Sequence, residues 1–229
     1  RDEKRPLKTY FPPGGRFSYS GEGYVYLQTV LEHITGERAE THLHRSLLER
    51  LGMASSCFVW DSESGGNVAV GHDEEGKRRE KRPWPEANAA ASLHCTPTDF
   101  ARFMRAVMHP SDADPGRLSP AIASQMLTPQ VQVNDSGPWH EGWPTAEVRT
   151  NEKVGWGLGW GLERTARGDA FWHWGDNWSY RALALGFPAE GPGVVVMTNG
   201  VNGHAVIVRI LSQISGIAHP GLDWLAQIE

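Results

Sequence analysis

Cysteine is scarce in this chain: of 229 residues only Cys57 and Cys95 carry a thiol. Two thiols could pair with each other, but they do not make a disulfide framework, and a lone cysteine is usually core packing. Long apolar runs are also missing. The longest, Gly193 to Met197 and Ala205 to Val208, fall far short of the roughly 20 residues that cross a bilayer as a helix. There is no excess of positive charge. A formal charge of −5 and a pI near 6.1 exclude a basic face for nucleic acid or for an acidic membrane surface. The charged opening Arg1-Asp2-Glu3-Lys4-Arg5 leads into no apolar segment, so no signal peptide is visible. The compartment stays open between the bacterial periplasm or exterior and the cytoplasm. No fixed-period repeat or low-complexity tract appears, which sets aside solenoids and linkers. Ligand spacing is absent too: His42 and His44 stand two apart on a predicted helix and face different directions. No metal and no cofactor are expected.

What is present suits an ordinary soluble globular protein long enough to bury a core, with 39% hydrophobic and 21% charged residues. The first part reads helical. Tyr24, Leu27, Val30, Leu31 and Ile34 follow helical spacing up to a stop at Gly36, and Leu43, Leu47, Leu48 and Leu51 give a second stripe before Gly52. Thr96-Pro97-Thr98-Asp99 is a helix start, with a capping Thr, a Pro in the first turn and an acid at the third position. Ser119-Pro120 opens a shorter helix. The polar stretch from Asp61 to Pro85 predicts a long surface excursion. The period then changes. Val154, Trp156, Leu158, Trp160 and Leu162 alternate with glycines, which predicts one strand with a bulky face and a bare face that some packed element approaches closely. Ala170 to Gly175, Tyr180 to Phe187 and Val194 to Thr198 read as further strands, and Val206 to Ile214 as a final helix. Strands this close together leave no room for helical crossovers, so the expected class is α+β with an antiparallel sheet.

Two stretches carry candidate chemistry. Phe17-Ser18-Tyr19-Ser20-Gly21-Glu22-Gly23-Tyr24 is a loop entering a helix; Phe171-Trp172-His173-Trp174-Gly175-Asp176-Asn177 is a strand end and its turn. Alternation puts His173 and Gly175 on one face of that strand, with Trp172 and Trp174 on the other, packed against the final helix. In this order, Tyr19-Ser20-Gly21 and His173-Trp174-Gly175 resemble the second and third motifs of the serine hydrolases of the β-lactamase (class C) and penicillin-binding-protein superfamily. Leu51-Gly52-Met53, Ala91-Ser92-Leu93, Gly157-Leu158-Gly159-Trp160 and Val196-Met197-Thr198-Asn199-Gly200 extend the likeness over nearly the whole chain. The resemblance implies a β-lactamase/transpeptidase-like fold over residues 1–229, with a mainly helical part at 1–130 and sheet plus C-terminal helix at 150–229. It implies an acyl-enzyme hydrolase (esterase, carboxypeptidase or β-lactamase-like) acting on a small ester, amide or peptide. Tyr19 would be a general base whose phenolate a neighbouring lysine stabilises, since a phenol titrates near pH 10 in water. His173 would line the pocket. The backbone N–H of Asp176, after Gly175, would be one arm of an oxyanion hole, and Gly21 would stand where relatives hold substrate with an amide.

The family's first motif, Ser-x-x-Lys, does not occur: no serine here has a lysine three residues on. The chain is therefore expected to be an N-terminally incomplete domain. A missing segment or partner chain would supply the nucleophile, and the chain by itself is expected to be inactive. Gly21, Trp174 between His173 and Gly175, and the opening His173 all depart from the antibiotic-hydrolysing pattern and favour an ester or amide. The alternative is a non-catalytic binding or scaffold protein on the same fold. The tryptophan cluster reads as aromatic core before it reads as a sugar platform, and Tyr19 alone would be a buried aromatic at a helix entry.

Overall fold

The computed structural model describes residues 9–61, 67–114, 116–135, 137–138, 149–189 and 191–226. Helices come first. Helix α1 (Gly21–Thr35) starts where Ser20 Oγ accepts from Gly23 N at 3.0 Å, and it stops at Gly36 with φ 69°. Helix α2 (Ala39–Leu43) runs directly into a wider π-helical turn, His44–Leu48. The Asp61–Pro85 excursion holds a two-residue hairpin, β1 (Gly71–His72) with β2 (Arg78–Arg79). It is tied to the body of the domain where His72 N donates to Asn199 O at 2.8 Å. Helix α3 (Pro97–Met108) begins at the expected cap, Thr96 Oγ1 accepting from Asp99 N at 3.1 Å, and α4 (Pro120–Met126) begins at Ser119. Thr96→Ala removes a bond that satisfies one of the orphan donors of the first turn. It is expected to lower stability by about 1 kcal/mol, read as an unchanged urea slope with a lower midpoint.

Six strands then follow in sequence order as one antiparallel meander: β3 (Val131–Asn134), β4 (Thr150–Trp156), β5 (Gly161–Thr165), β6 (Gly168–Asn177), β7 (Tyr180–Gly186) and β8 (Gly193–Thr198). The glycine-rich stretch is not the single strand its period predicts. It is two strands, β4 and β5, joined by a turn at 157–160 that Gly157 N closes on Trp160 O at 2.8 Å, with Gly159 at φ 81°. Trp156 and Trp160 consequently end in different cores. The bare positions do admit close neighbours, as expected. A methyl at Gly161 would stand 2.7 Å from the Trp172 indole, and one at Gly221 only 2.3 Å from it, so these two glycines hold that ring between them.

Helices α5 (Gly203–Ser215) and α6 (Pro220–Leu225) cover one face of the sheet. Val154, Trp156, Trp172, Trp174, Leu183 and Leu185 point there and pack with Ile207, Leu211 and Trp224. Trp172 and Trp174 thus reach the C-terminal helices as expected, mainly through Trp224 of α6, which the periodicity did not reveal. On the opposite face Phe171, Ala184 and Trp160 pack under Met104 and Val107 of α3. A polar pair lies against the core beneath α6. Glu163 Oε1 and His219 Nδ1 are 2.7 Å apart, Glu163 Oε2 accepts from Gly221 N at 2.7 Å, and both side chains are excluded from solvent. Among the described residues no helix is long and apolar enough to cross a membrane.

Candidate active site

The site is created by a length mismatch. Strand β5 pairs with residues 168–172 of β6 and then ends, whereas β7 continues to pair with β6 as far as Asn177. From His173 to Asn177, β6 therefore has a partner on one side only, among the described pairings. Strand edges of this kind leave backbone groups available to another segment or to a ligand. Tyr19, immediately before the Ser20 cap of α1, comes to this open edge. Its ring centroid lies 4.6 Å from Trp174, 6.0 Å from Trp156 and 6.2 Å from His173. Two motifs separated by more than 150 residues in the chain thus meet at one place.

His173 does not stand upright on its strand. Alternation separates the Cβ atoms of His173 and Trp174, yet their rings stack 5.2 Å apart, inclined by 15°. The imidazole bends along the vacant edge because Nδ1 reaches the Trp174 carbonyl at 2.6 Å. A carbonyl can only accept, so Nδ1 carries the proton, and in the neutral ring Nε2 is the acceptor. Burial pushes the His173 pKa below its usual range, partly offset by that carbonyl bond. The neutral form prevails at pH 7, with Nε2 as its unprotonated nitrogen.

Tyr19 is shifted in the opposite sense. Burial, and then the neighbouring Tyr24 phenol, raise its pKa above the ordinary value. Neither influence is the lysine that the resemblance implies, and at neutral pH this phenol keeps its proton. Gly175 and Asp176 lie farther along β6, opposite Ala182 and Arg181 of β7. Gly21 is the first residue of α1 and faces Ala90, whose Cβ would lie 3.6 Å from a methyl placed on it. The loop around Ala90 links the two halves of the site: Gln28 of α1 bonds Ala87 O and Ala89 N, and Asn177 Nδ2 bonds Ala91 O at 3.0 Å. Sequence reasoning named Ala91-Ser92-Leu93 only as part of the likeness and not for its place at the site, and it passed over Arg181, which carries no motif. No group of acidic, His or Cys side chains able to hold a metal occurs among the described residues.

The beta-lactamase family model matches residues 4–210. No curated protein matches. Among solved structures, the octameric penicillin-binding protein homologue from Pyrococcus abyssi is 23% identical, with a TM-score of 0.66 over 89% of this chain and 44% of its own. The β-lactamase/D-alanine carboxypeptidase from Pseudomonas syringae is 13% identical, with a TM-score of 0.69 over 93% of this chain and 63% of its own. The D-amino acid amidase from Ochrobactrum anthropi is 22% identical, with a TM-score of 0.60 over 87% and 62%. The chain spans less than two thirds of the length of each of these relatives. At these identities the likeness speaks for the fold: a six-stranded antiparallel sheet with helices on both faces, as in β-lactamases and transpeptidases. A family match over so much of the sequence places the chain itself in the beta-lactamase family.

Proposed function

We propose that this chain forms the C-terminal part of a serine acyl-hydrolase that cleaves a small ester or amide through an acyl-enzyme, its nucleophile coming from a segment outside residues 1–229. The observation that carries the reading is the meeting of Tyr19 and His173, 6.2 Å apart, at the unpaired edge of β6. An acyl group laid along that edge would have the phenol and the imidazole on its flank. The backbone N–H of Asp176 is the proposed oxyanion donor, worth about 10² to 10³ in rate where such a donor is well placed. Gly175 is the position where substrate approaches the strand, and Gly21, beside Ala90, presents no side-chain amide to it. Tyr19 is the proposed proton acceptor, and it requires a cation alongside to act near neutral pH. The family supports the hydrolase class, and the relatives' own substrates, D-amino acid amides among them, support a small acyl compound. Gly21 and Trp174 support an ester or simple amide over a β-lactam.

The test uses the full-length product of the reading frame that encodes this chain, labelled with a fluorophosphonate and mapped by mass spectrometry. The expected result is one adduct on a serine outside residues 1–229, with short p-nitrophenyl esters turned over faster than nitrocefin. A stoichiometric adduct within residues 1–229 overturns the placement of the nucleophile. No adduct anywhere leaves the non-catalytic scaffold as the better account.

A further inference from the structure

The turn that follows the proposed oxyanion donor is held by a side chain that belongs to no motif. We infer that Arg181 is a positioning residue for the Asp176 N–H, acting by capturing the main-chain carbonyls of the β6–β7 turn. This rests on the proposed function and extends it.

One nitrogen does most of the holding. Arg181 Nη1 lies 2.7 Å from Trp178 O, 2.8 Å from Asp176 Oδ1 and 3.1 Å from Tyr180 O. It has two hydrogens, so the two shorter contacts take one each and the third is shared. The ion pair alone is a weak anchor, because Asp176 is 48% exposed and exposed pairs contribute little. The carbonyl of Trp178 is the informative partner. Trp178 has φ 54°, the one non-glycine residue with positive φ among the described residues. A bulky side chain keeps that conformation only where the surroundings over-determine it, and such residues gather at functional sites. Here the constraints come from separate segments: the Arg82 guanidinium lies 4.1 Å over the Trp178 ring, Trp84 stacks beside it, and Asn177 is bonded to Ala91 O. Arg181 is itself fixed. Its side chain is only 12% exposed, and its stem lies under α5, where a methyl on Gly203 would come within 2.8 Å of Arg181 Cβ. If the clamp is released, Trp178 relaxes toward negative φ. That rotates the peptides leading back to Asp176, two residues before it, and the N–H turns off the acyl oxygen.

A donor that is misdirected, not deleted, should cost somewhat less than its removal. In the full-length protein R181Q is expected to lower the rate of acylation by p-nitrophenyl acetate about tenfold to a hundredfold, with KM changed less than threefold. W178G removes the positive-φ penalty, because glycine adopts this conformation freely. The double variant R181Q/W178G should recover most of the lost kcat, which a purely structural arginine would not allow. If R181Q does not accumulate folded, R181K, which keeps the stem and the charge but not the planar fork, replaces it with the same expected repair by W178G. A wild-type protein that is itself inert ends the proposed function and the clamp with it. An active wild type with R181Q within threefold of it, or with a kcat loss that W178G does not repair, overturns the clamp alone.

Discussion

Glu163→Ala should remove about 3–5 kcal/mol of stability, the scale seen when one partner of a buried pair is deleted. Glu163 and His219 have side chains 0% and 2% exposed. The carboxylate does two tasks at once: Oε1 accepts from His219 Nδ1, and Oε2 accepts from Gly221 N at the first turn of α6. Truncation leaves two buried donors without the oxygens they now bond, each an unsatisfied group costing about 1–3 kcal/mol. It also opens a cavity beside Val154 and Ala170, which flank Glu163 in the register of the sheet. Helix α6 has few other polar ties to the sheet, chief among them Trp224 Nε1 to Asn134 O at 2.7 Å. The loss should therefore show first as exchange of the α6 amides, then as a lower urea midpoint. Since domains of this kind have about 5–15 kcal/mol in total, the variant would stand near the limit of folding. The check is a double-mutant cycle with His219→Ala. A coupling below about 0.5 kcal/mol would mean that the two side chains act independently, and a single loss below about 1 kcal/mol would mean that water reaches the pair.

How much of this was legible in the sequence follows from the range of each interaction. Features encoded within a few residues read correctly: the Thr96 and Ser119 caps, the stop at Gly36, and the three strands that follow residue 167. Strand β3 went unread because Val131-Gln132-Val133-Asn134 is short and half polar. The stretch Val154–Leu162 was misread because a hairpin whose turn is itself Gly-Leu-Gly-Trp keeps the period of a single strand. The reversal shows only in three dimensions, in the positive φ of Gly159, the bond of Gly157 N to Trp160 O and the antiparallel pairing of Trp156 with Gly161. Tyr19 and His173 could be named from motif context, but their distance could not, since it depends on where β5 ends relative to β6. Pairings such as Glu163 with His219, 56 residues apart, or the capture of Trp178 O by Arg181, have no local signature. They depend on strand register and on which helix lies above, and both are settled only when the sheet closes.

Tyr19→Phe carries the largest catalytic effect expected of a single atom in this protein. If the phenol is the proton acceptor, the full-length variant should acylate about 10² to 10⁴ times more slowly, the range of a positioned general base. Stability should barely change, because the ring keeps its contacts with Trp174 and Trp156. The sign of the pH dependence separates the two states of the site. In residues 1–229 burial and Tyr24 raise the Tyr19 pKa. The folded protein therefore holds that proton more tightly than the unfolded chain, and the contribution to stability is complete below about pH 10 and is lost as pH rises through the folded pKa. His173 runs the other way: burial lowers its pKa, so its contribution is complete above about pH 6.5 and is lost as pH falls toward the folded value. A lysine delivered beside Tyr19 by the nucleophile's segment would oppose the burial and bring the phenol down toward neutrality. Ultraviolet titration of tyrosinate, wild type minus Tyr19→Phe, should thus show a transition above pH 10 in the 229-residue chain and a lower one in the full-length protein. Acylation by Tyr19→Phe within threefold of wild type, with the two transitions coinciding, would reduce Tyr19 to a packing residue and leave His173 as the base to test next.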